Sequence, residues 1–164
     1  MEFSGKKVTV VGTGISGIGA VGLLNAVGAE VVLYDGNEKL KIEDIEKKLG
    51  TYKAEIVLGE LTKELTDSSD LLVISPGVPI DSPVVKAFEA AGVPVWGEVE
   101  LAYAFDKGKV LAITGTNGKT TTTALVGQIV GAYHKDTFVV GNIGNPYTTE
   151  VLKSNKDSYT VAEI

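Results

Sequence analysis

Short apolar runs alternate with stretches of helical spacing along the whole chain, and many of the changes of pattern fall at glycine. In the first part, β-branched and apolar runs predict strands over 7–11, 30–34, 54–58, 71–75 and 93–96. Between them, helical spacing predicts helices over 18–27, 42–49 and 83–91, the first closed by Gly28 and the last by Gly92. Strands alternating with helices predict an α/β fold, a parallel sheet with helices on its faces. The pattern then restarts. Residues 97–105 have the spacing of a short amphipathic helix; 111–114, 138–140 and 157–164 read as strands, and 120–130 and 146–152 as helices. A junction between Gly97 and Lys109 divides the chain into a first domain over 1–97 and the start of a second over 98–164.

Each part opens with a strand that runs into a glycine-rich turn. In the first, Gly12-Thr13-Gly14-Ile15-Ser16-Gly17 is a full G-x-G-x-x-G, and Asp35 ends the next strand close to the ~20 residues downstream expected of a Rossmann-like dinucleotide fold. Such a loop lays a diphosphate on a helix N-terminus, and Asp35 would accept hydrogen bonds from a ribose or a base edge. On these residues alone NAD is the default ligand, and a purely structural use of the glycines is the plainer one. Ser75-Pro76-Gly77-Val78-Pro79 ends a strand at the carboxyl edge of the sheet, where α/β ligands bind. Its two prolines make a stiff turn that either presents backbone N–H groups to an anion or merely joins strand to helix.

In the second part, Gly115-Thr116-Asn117-Gly118-Lys119-Thr120-Thr121 has the working end of a triphosphate loop. Only Thr116 and Asn117 separate Gly115 from Gly118, so the strict G-x-x-x-x-G-K-[ST] pattern is not met. Strand, glycines, Lys-Thr and helix nevertheless come in the order a triphosphate needs. Lys119 would reach the β- and γ-phosphates, and the Thr120 hydroxyl would sit on Mg²⁺. Four consecutive threonines, Thr120 to Thr123, are poor helix formers, so ligand and tertiary contacts are expected to hold that first turn. Glu163 lies in an apolar run; it either needs a cation or faces water at a strand end. His134 reads as a surface or helix-end residue, and Trp96 and Tyr103 as packing residues near the junction.

Composition narrows the chemistry. All the basic residues are Lys and the net charge is −6, a poor basis for binding nucleic acid. No cysteine and a single histidine exclude disulfides, thiolate nucleophiles and Cys- or His-rich metal sites. No apolar run reaches the ~18 residues of a membrane span, and the first residues lack the apolar core of a signal peptide. The expectation is a cytoplasmic protein without a membrane partner.

Together, Gly115 to Thr121, Gly141-Asn142-Ile143-Gly144 and Val161-Ala162-Glu163-Ile164 resemble the Mur ligase family. Within it, the loop of Gly12 to Gly17, the Ser75 to Pro79 turn and Gly97-Glu98-Val99-Glu100-Leu101 are similar to the members that add D-glutamate to UDP-N-acetylmuramoyl-L-alanine. The short triphosphate loop is the one this family carries.

The resemblance implies an ATP- and Mg²⁺-dependent ligase of cytoplasmic peptidoglycan synthesis, monomeric, that makes an acyl phosphate and lets the D-glutamate amine attack it. Lys119 and Glu163 would be catalytic; Gly115, Thr116, Asn117, Gly118, Lys119, Thr120 and Thr121 would bind ATP; Thr120 and Glu163 would hold the metal. Gly14, Ile15, Ser16 and Gly17 would take the UDP diphosphate, Asp35 and Gly36 the uracil, Ser75, Pro76 and Gly77 the rest of the UDP-sugar, and Asn142 the muramoyl-alanine part. Asn37 stands where some relatives carry a basic residue beside the uracil.

The same resemblance expects three domains, with further metal-site residues and a D-glutamate-binding domain beyond Ile164. The expectation is therefore a truncated chain that binds the UDP-substrate without forming the peptide bond. Its last strand is expected to be central in the sheet of the complete domain, which leaves an unpaired edge prone to association. Rival readings are a folylpolyglutamate-type ligase, an NAD-dependent oxidoreductase domain and a non-catalytic nucleotide-binding module. The UDP-type glycine loop and the Ser75 turn count against the first, and the triphosphate loop against the second.

Overall fold

A computed structural model describes residues 3–164. The chain forms two compact units, Met1–Leu101 and Ala102–Ile164. Both are α/β and both carry a purely parallel sheet.

The first unit runs β1 (Lys7–Val11), α1 (Ile15–Ala26), β2 (Glu30–Asp35), α2 (Ile42–Leu49), β3 (Glu55–Leu58), α3 (Lys63–Ser68), β4 (Leu71–Ile74), α4 (Pro83–Ala90) and β5 (Val95–Gly97). The strand order is β3-β2-β1-β4-β5. Central strands of a parallel sheet are covered on both faces, so they are apolar without alternation, as Val8, Val10, Leu72 and Val73 show. Phe88 and Val85 from α4 pack with Val11, Val32, Leu72 and Ile74 into one core. In α2, Ile45 and Leu49 are buried, while Glu43 and Asp44 in the first turn and Lys47 and Lys48 in the last complement the helix dipole.

Two elements differ from the sequence pattern. Helix α1 starts at Ile15 rather than residue 18, with Gly14 as its N-cap and no side chain capping it. The end of the glycine fingerprint is thus the helix's first turn, where N–H groups have no intrahelical acceptor. Helix α3, which periodicity alone did not reveal, is only six residues long and is started by Thr62, whose side chain accepts from Leu65 N at 3.3 Å.

Helix α5 (Glu98–Tyr103) spans the division between the units. Tyr103 is exposed rather than packed, whereas the Trp96 ring lies edge-on to Phe3 at 6.1 Å. The second unit continues with β6 (Lys109–Ile113), α6 (Lys119–Tyr133), β7 (Thr137–Gly141), α7 (Tyr147–Glu150), one 3-10 turn (Val151–Lys153) and β8 (Tyr159–Glu163). Its order is β6-β8-β7. The last strand, β8, is central as expected and paired along its length on both sides, so the open edges of this sheet are β6 and β7. The crossover from β7 places the next strand between β7 and β6.

At the amino end of this sheet Asp106 collects three donors. Its Oδ2 accepts from the Tyr147 hydroxyl and Thr160 Oγ1, each at 2.7 Å, and its Oδ1 accepts from Gly108 N at 2.7 Å. Burial, then the neighbouring Asp106, raises the Tyr147 phenol above its ordinary value.

Candidate functional sites: two glycine loops

In the first unit the loop after β1 lies between β2 and β4, where the strand order reverses. Gly12 turns with φ +104°, and a Cβ on it would stand 2.9 Å from Ser75 Oγ on the neighbouring strand end. A Cβ on Gly17 would overlap the Gly12 carbonyl oxygen. A Cβ on Gly14 would meet nothing within 4 Å. The first glycine therefore makes room for the Ser75 side chain, the third lets backbone pack on backbone, and the second leaves the helix N-terminus open to a ligand.

The loop is pinned from the side. Thr13 donates to Asp35 Oδ2 from both its N–H at 3.3 Å and its hydroxyl at 2.9 Å. Asn37 N donates to Asp35 Oδ1 at 3.1 Å, and Lys48 Nζ donates to the Thr13 carbonyl at 3.4 Å. Gly36 is exposed beside Asp35. Ile15 is exposed at the mouth of the loop, and Ser16 is half-buried beside it. The Ser75 turn closes with Val78 N donating to Ser75 O at 2.9 Å; Pro76 and Gly77 are exposed at its tip. Ser75 Oγ is buried with no hydrogen-bond partner.

In the second unit three strands end in one row: Ile113, Glu163 and Gly141 are register partners. The first delivers Gly115 to Thr121, the second is itself an acid, and the third hands the chain to Asn142. Gly118 sits at φ +74° as the N-cap of α6, a left-handed position that suits glycine, and no side chain caps the helix. Residues 114–118 are exposed, so the loop backbone is accessible, as are Thr120 and Thr121. Lys119 Nζ donates to the Gly115 carbonyl at 2.8 Å, which folds the ammonium over its own loop. Helix α6 begins at Lys119 and lies close to the sheet at Gly127, whose Cβ would overlap Val139.

Glu163 is 5% exposed, which removes the reading of a strand-end acid facing water. The Thr120 hydroxyl donates to its Oε1 at 3.1 Å, and its Oε2 is buried without a partner. A buried carboxylate with a spare oxygen beside a triphosphate-type loop is a hard-oxygen arrangement suited to Mg²⁺, which binds through one or two carboxylates plus substrate phosphates. The exposed Asn142 follows in a loop held from behind by Glu150, whose Oε1 accepts from Asn145 Nδ2 at 2.7 Å and whose Oε2 pairs with Lys153 at 2.8 Å. Sequence reasoning missed Thr13, Lys48 and Glu150. No motif spacing marks them: Thr13 and Lys48 act on partners distant in the chain, and Glu150 binds its near neighbours Asn145 and Lys153 in a loop that carries no motif of its own.

Parallel sheets with a glycine loop after the first strand of each unit, the second ending in Lys-Thr, define an α/β protein with two loops of the phosphate-binding type. Comparisons with known proteins refine that class. Residues 6–97 match the Mur ligase MurD-like N-terminal domain, and residues 113–164 the Mur ligase middle domain. The chain belongs to the Mur ligase family. It is 68% identical to a UDP-N-acetylmuramoylalanine–D-glutamate ligase of Lachnospira eligens and 56% identical to one of Lachnoclostridium phytofermentans. Both alignments cover 100% of this chain and 36% of the relative, so the chain spans about a third of the length of the curated relatives it matches. Among solved structures, a murein peptide ligase from Psychrobacter arcticus (TM-score 0.57, 20% identity, 97% of this chain and 37% of that one) shares the fold. So does the UDP-N-acetylmuramate–alanine ligase MurC from Thermotoga maritima (TM-score 0.52, 24% identity, 96% of this chain and 36% of that one).

Proposed function

We propose that the whole protein joins D-glutamate to UDP-N-acetylmuramoyl-L-alanine in peptidoglycan synthesis at the expense of ATP. The first unit binds the UDP part, and the second carries the start of the ATP site. The names of relatives identical at 68% and 56% over the full chain support this choice of substrates. The observation that carries the ATP reading is the buried Glu163 carboxylate, with one oxygen on Thr120 and the other without a partner.

In this reading the substrate carboxylate attacks the γ-phosphoryl group and ADP departs; the D-glutamate amine then attacks the acyl carbon and phosphate departs. Bound Mg²⁺ neutralises charge on the phosphates. Lys119 leaves the Gly115 carbonyl to hold the transferring phosphoryl group, which is positional and electrostatic work. The open N–H groups of residues 115–121 bind the other phosphate oxygens, with Thr120 and Glu163 holding the metal. Gly14 to Gly17 hold the diphosphate of the UDP-substrate, Asp35 and Gly36 its uracil, Ser75 to Gly77 the sugar side, and Asn142 the muramoyl-alanine part.

Melting-temperature titrations of the chain with UDP-N-acetylmuramoyl-L-alanine, UDP, NAD and Mg-ATP, run separately, test both halves. A ligand at a hundred times its Kd stabilises by about 2.7 kcal/mol. Shifts with the two UDP compounds and with Mg-ATP, and none with NAD, are expected. A shift with NAD alone sinks the UDP reading.

A further inference from the structure

The middle position of Gly12-Thr13-Gly14 is one the glycine pattern leaves open, yet Thr13 is buried and spends all its polar groups there. Its N–H and hydroxyl both go to Asp35 Oδ2, at 3.3 and 2.9 Å, and its carbonyl accepts from Lys48 at 3.4 Å. Asn37 N takes one position on Asp35 Oδ1 at 3.1 Å. An ionised carboxylate offers about four acceptor positions. Both on Oδ2 are therefore filled and one on Oδ1 is filled, leaving a single acceptor whose direction is set because the carboxylate cannot turn without breaking three hydrogen bonds.

We propose that Thr13 is a positioning residue that determines base specificity in the first unit's nucleotide site. It locks Asp35 so that the remaining Oδ1 position meets an imide N–H, the N3–H of uracil. Cytosine presents a lone pair at N3 and its amine donor elsewhere on the ring, so a locked Asp35 repels its N3. A carboxylate free to rotate could turn to the amine. Discrimination between the two bases therefore depends on the Thr13 hydroxyl. This inference rests on the reading of the first unit as a UDP site.

Calorimetric titration of the whole chain with UDP and with CDP tests it, using wild type, Thr13→Val, Thr13→Ala and Thr13→Ser. Removing one hydrogen bond to a charged group predicts UDP binding weakened about tenfold in Thr13→Val, with CDP binding nearly unchanged. The UDP-over-CDP ratio then falls by about the same factor, and Thr13→Ser restores it. Thr13→Ala answers the same question if the valine variant does not fold. The ligand-free melting temperature is read alongside, since a purely structural Thr13 would lower it and leave the ratio intact. A wild type that prefers UDP together with folded variants of unchanged ratio overturns the proposal. A wild type that binds neither nucleotide overturns the UDP reading itself and the proposal with it.

Discussion

Two loops of the same description, strand then glycines then helix, are built in opposite ways in the two units. The loop of Gly12 to Gly17 is closed on itself: Gly17 touches the Gly12 carbonyl, Gly12 touches Ser75, and Thr13 is tied to Asp35. No lysine lies within it, and Lys48 comes from α2. In the loop of Gly115 to Thr121, by contrast, a Cβ at Gly118 would meet nothing within 4 Å, and the loop carries its own cation in Lys119. A loop that only anchors a substrate gains from rigid backbone packing, because ordering is complete before binding. A loop that handles a transferring phosphoryl group needs accessible N–H groups and a charge able to move onto it.

Breaking the closed loop should have the largest effect. Gly17→Ala drives a methyl into backbone and should destabilise the first unit by about 3 kcal/mol. Gly118→Ala meets no atom and should cost only the left-handed conformation, about 1 kcal/mol. Urea unfolding of both variants checks the pair; equal losses would mean that the two loops are packed alike. Next in size, Lys119→Ala should weaken Mg-ATP binding by about thirtyfold, equivalent to about 2 kcal/mol. Its UDP affinity should stay at the wild-type value, because Lys119 belongs to the second unit and the proposed UDP site to the first.

The units should also separate at high pH. Burial raises the phenols of both Tyr34 and Tyr147 above the ordinary 10.0, Asp35 adding to the first and Asp106 to the second. A phenol whose folded value is raised contributes stability that is complete below the unfolded value of 10.0 and is lost as pH rises above it, because the unfolded chain ionises first. Tyr147, the more strongly raised, should make the second unit the more alkali-sensitive. Tyr147→Phe should flatten that dependence in melting curves taken from pH 9 to about 11. The smallest effect expected is from Lys48→Ala, an exposed cation at the first loop. It should weaken UDP binding about threefold at low salt and less at high salt, as screening predicts.

Much of this is local and legible in the sequence. The fingerprints of both loops, Asp35 at the end of β2 and Glu163 in an apolar run depend on local order and spacing, which sequence displays directly. Helix α3 escaped notice because six residues carry too little periodicity, and its start rests on Thr62 alone. Local propensity starts helix α1 three residues late because glycine disfavours helix, whereas Gly14 is its N-cap and Gly17 lies in its first turn. The central place of β8 follows from the family resemblance and not from its own residues: strand order is set by crossovers, and no residue of Tyr159–Glu163 records its neighbours.

By itself, the sequence determined that this chain is α/β, that a glycine loop follows the first strand of each part, and that Asp35 and Glu163 stand at strand ends. Those properties follow from backbone sterics and from the period of apolar residues, which are local. Only the tertiary structure decided that Ile113, Glu163 and Gly141 form one row, that Glu163 is buried with an oxygen to spare, and that Thr13 holds Asp35. Those are contacts between residues far apart in the chain, and they exist only once the sheets have set their order and register.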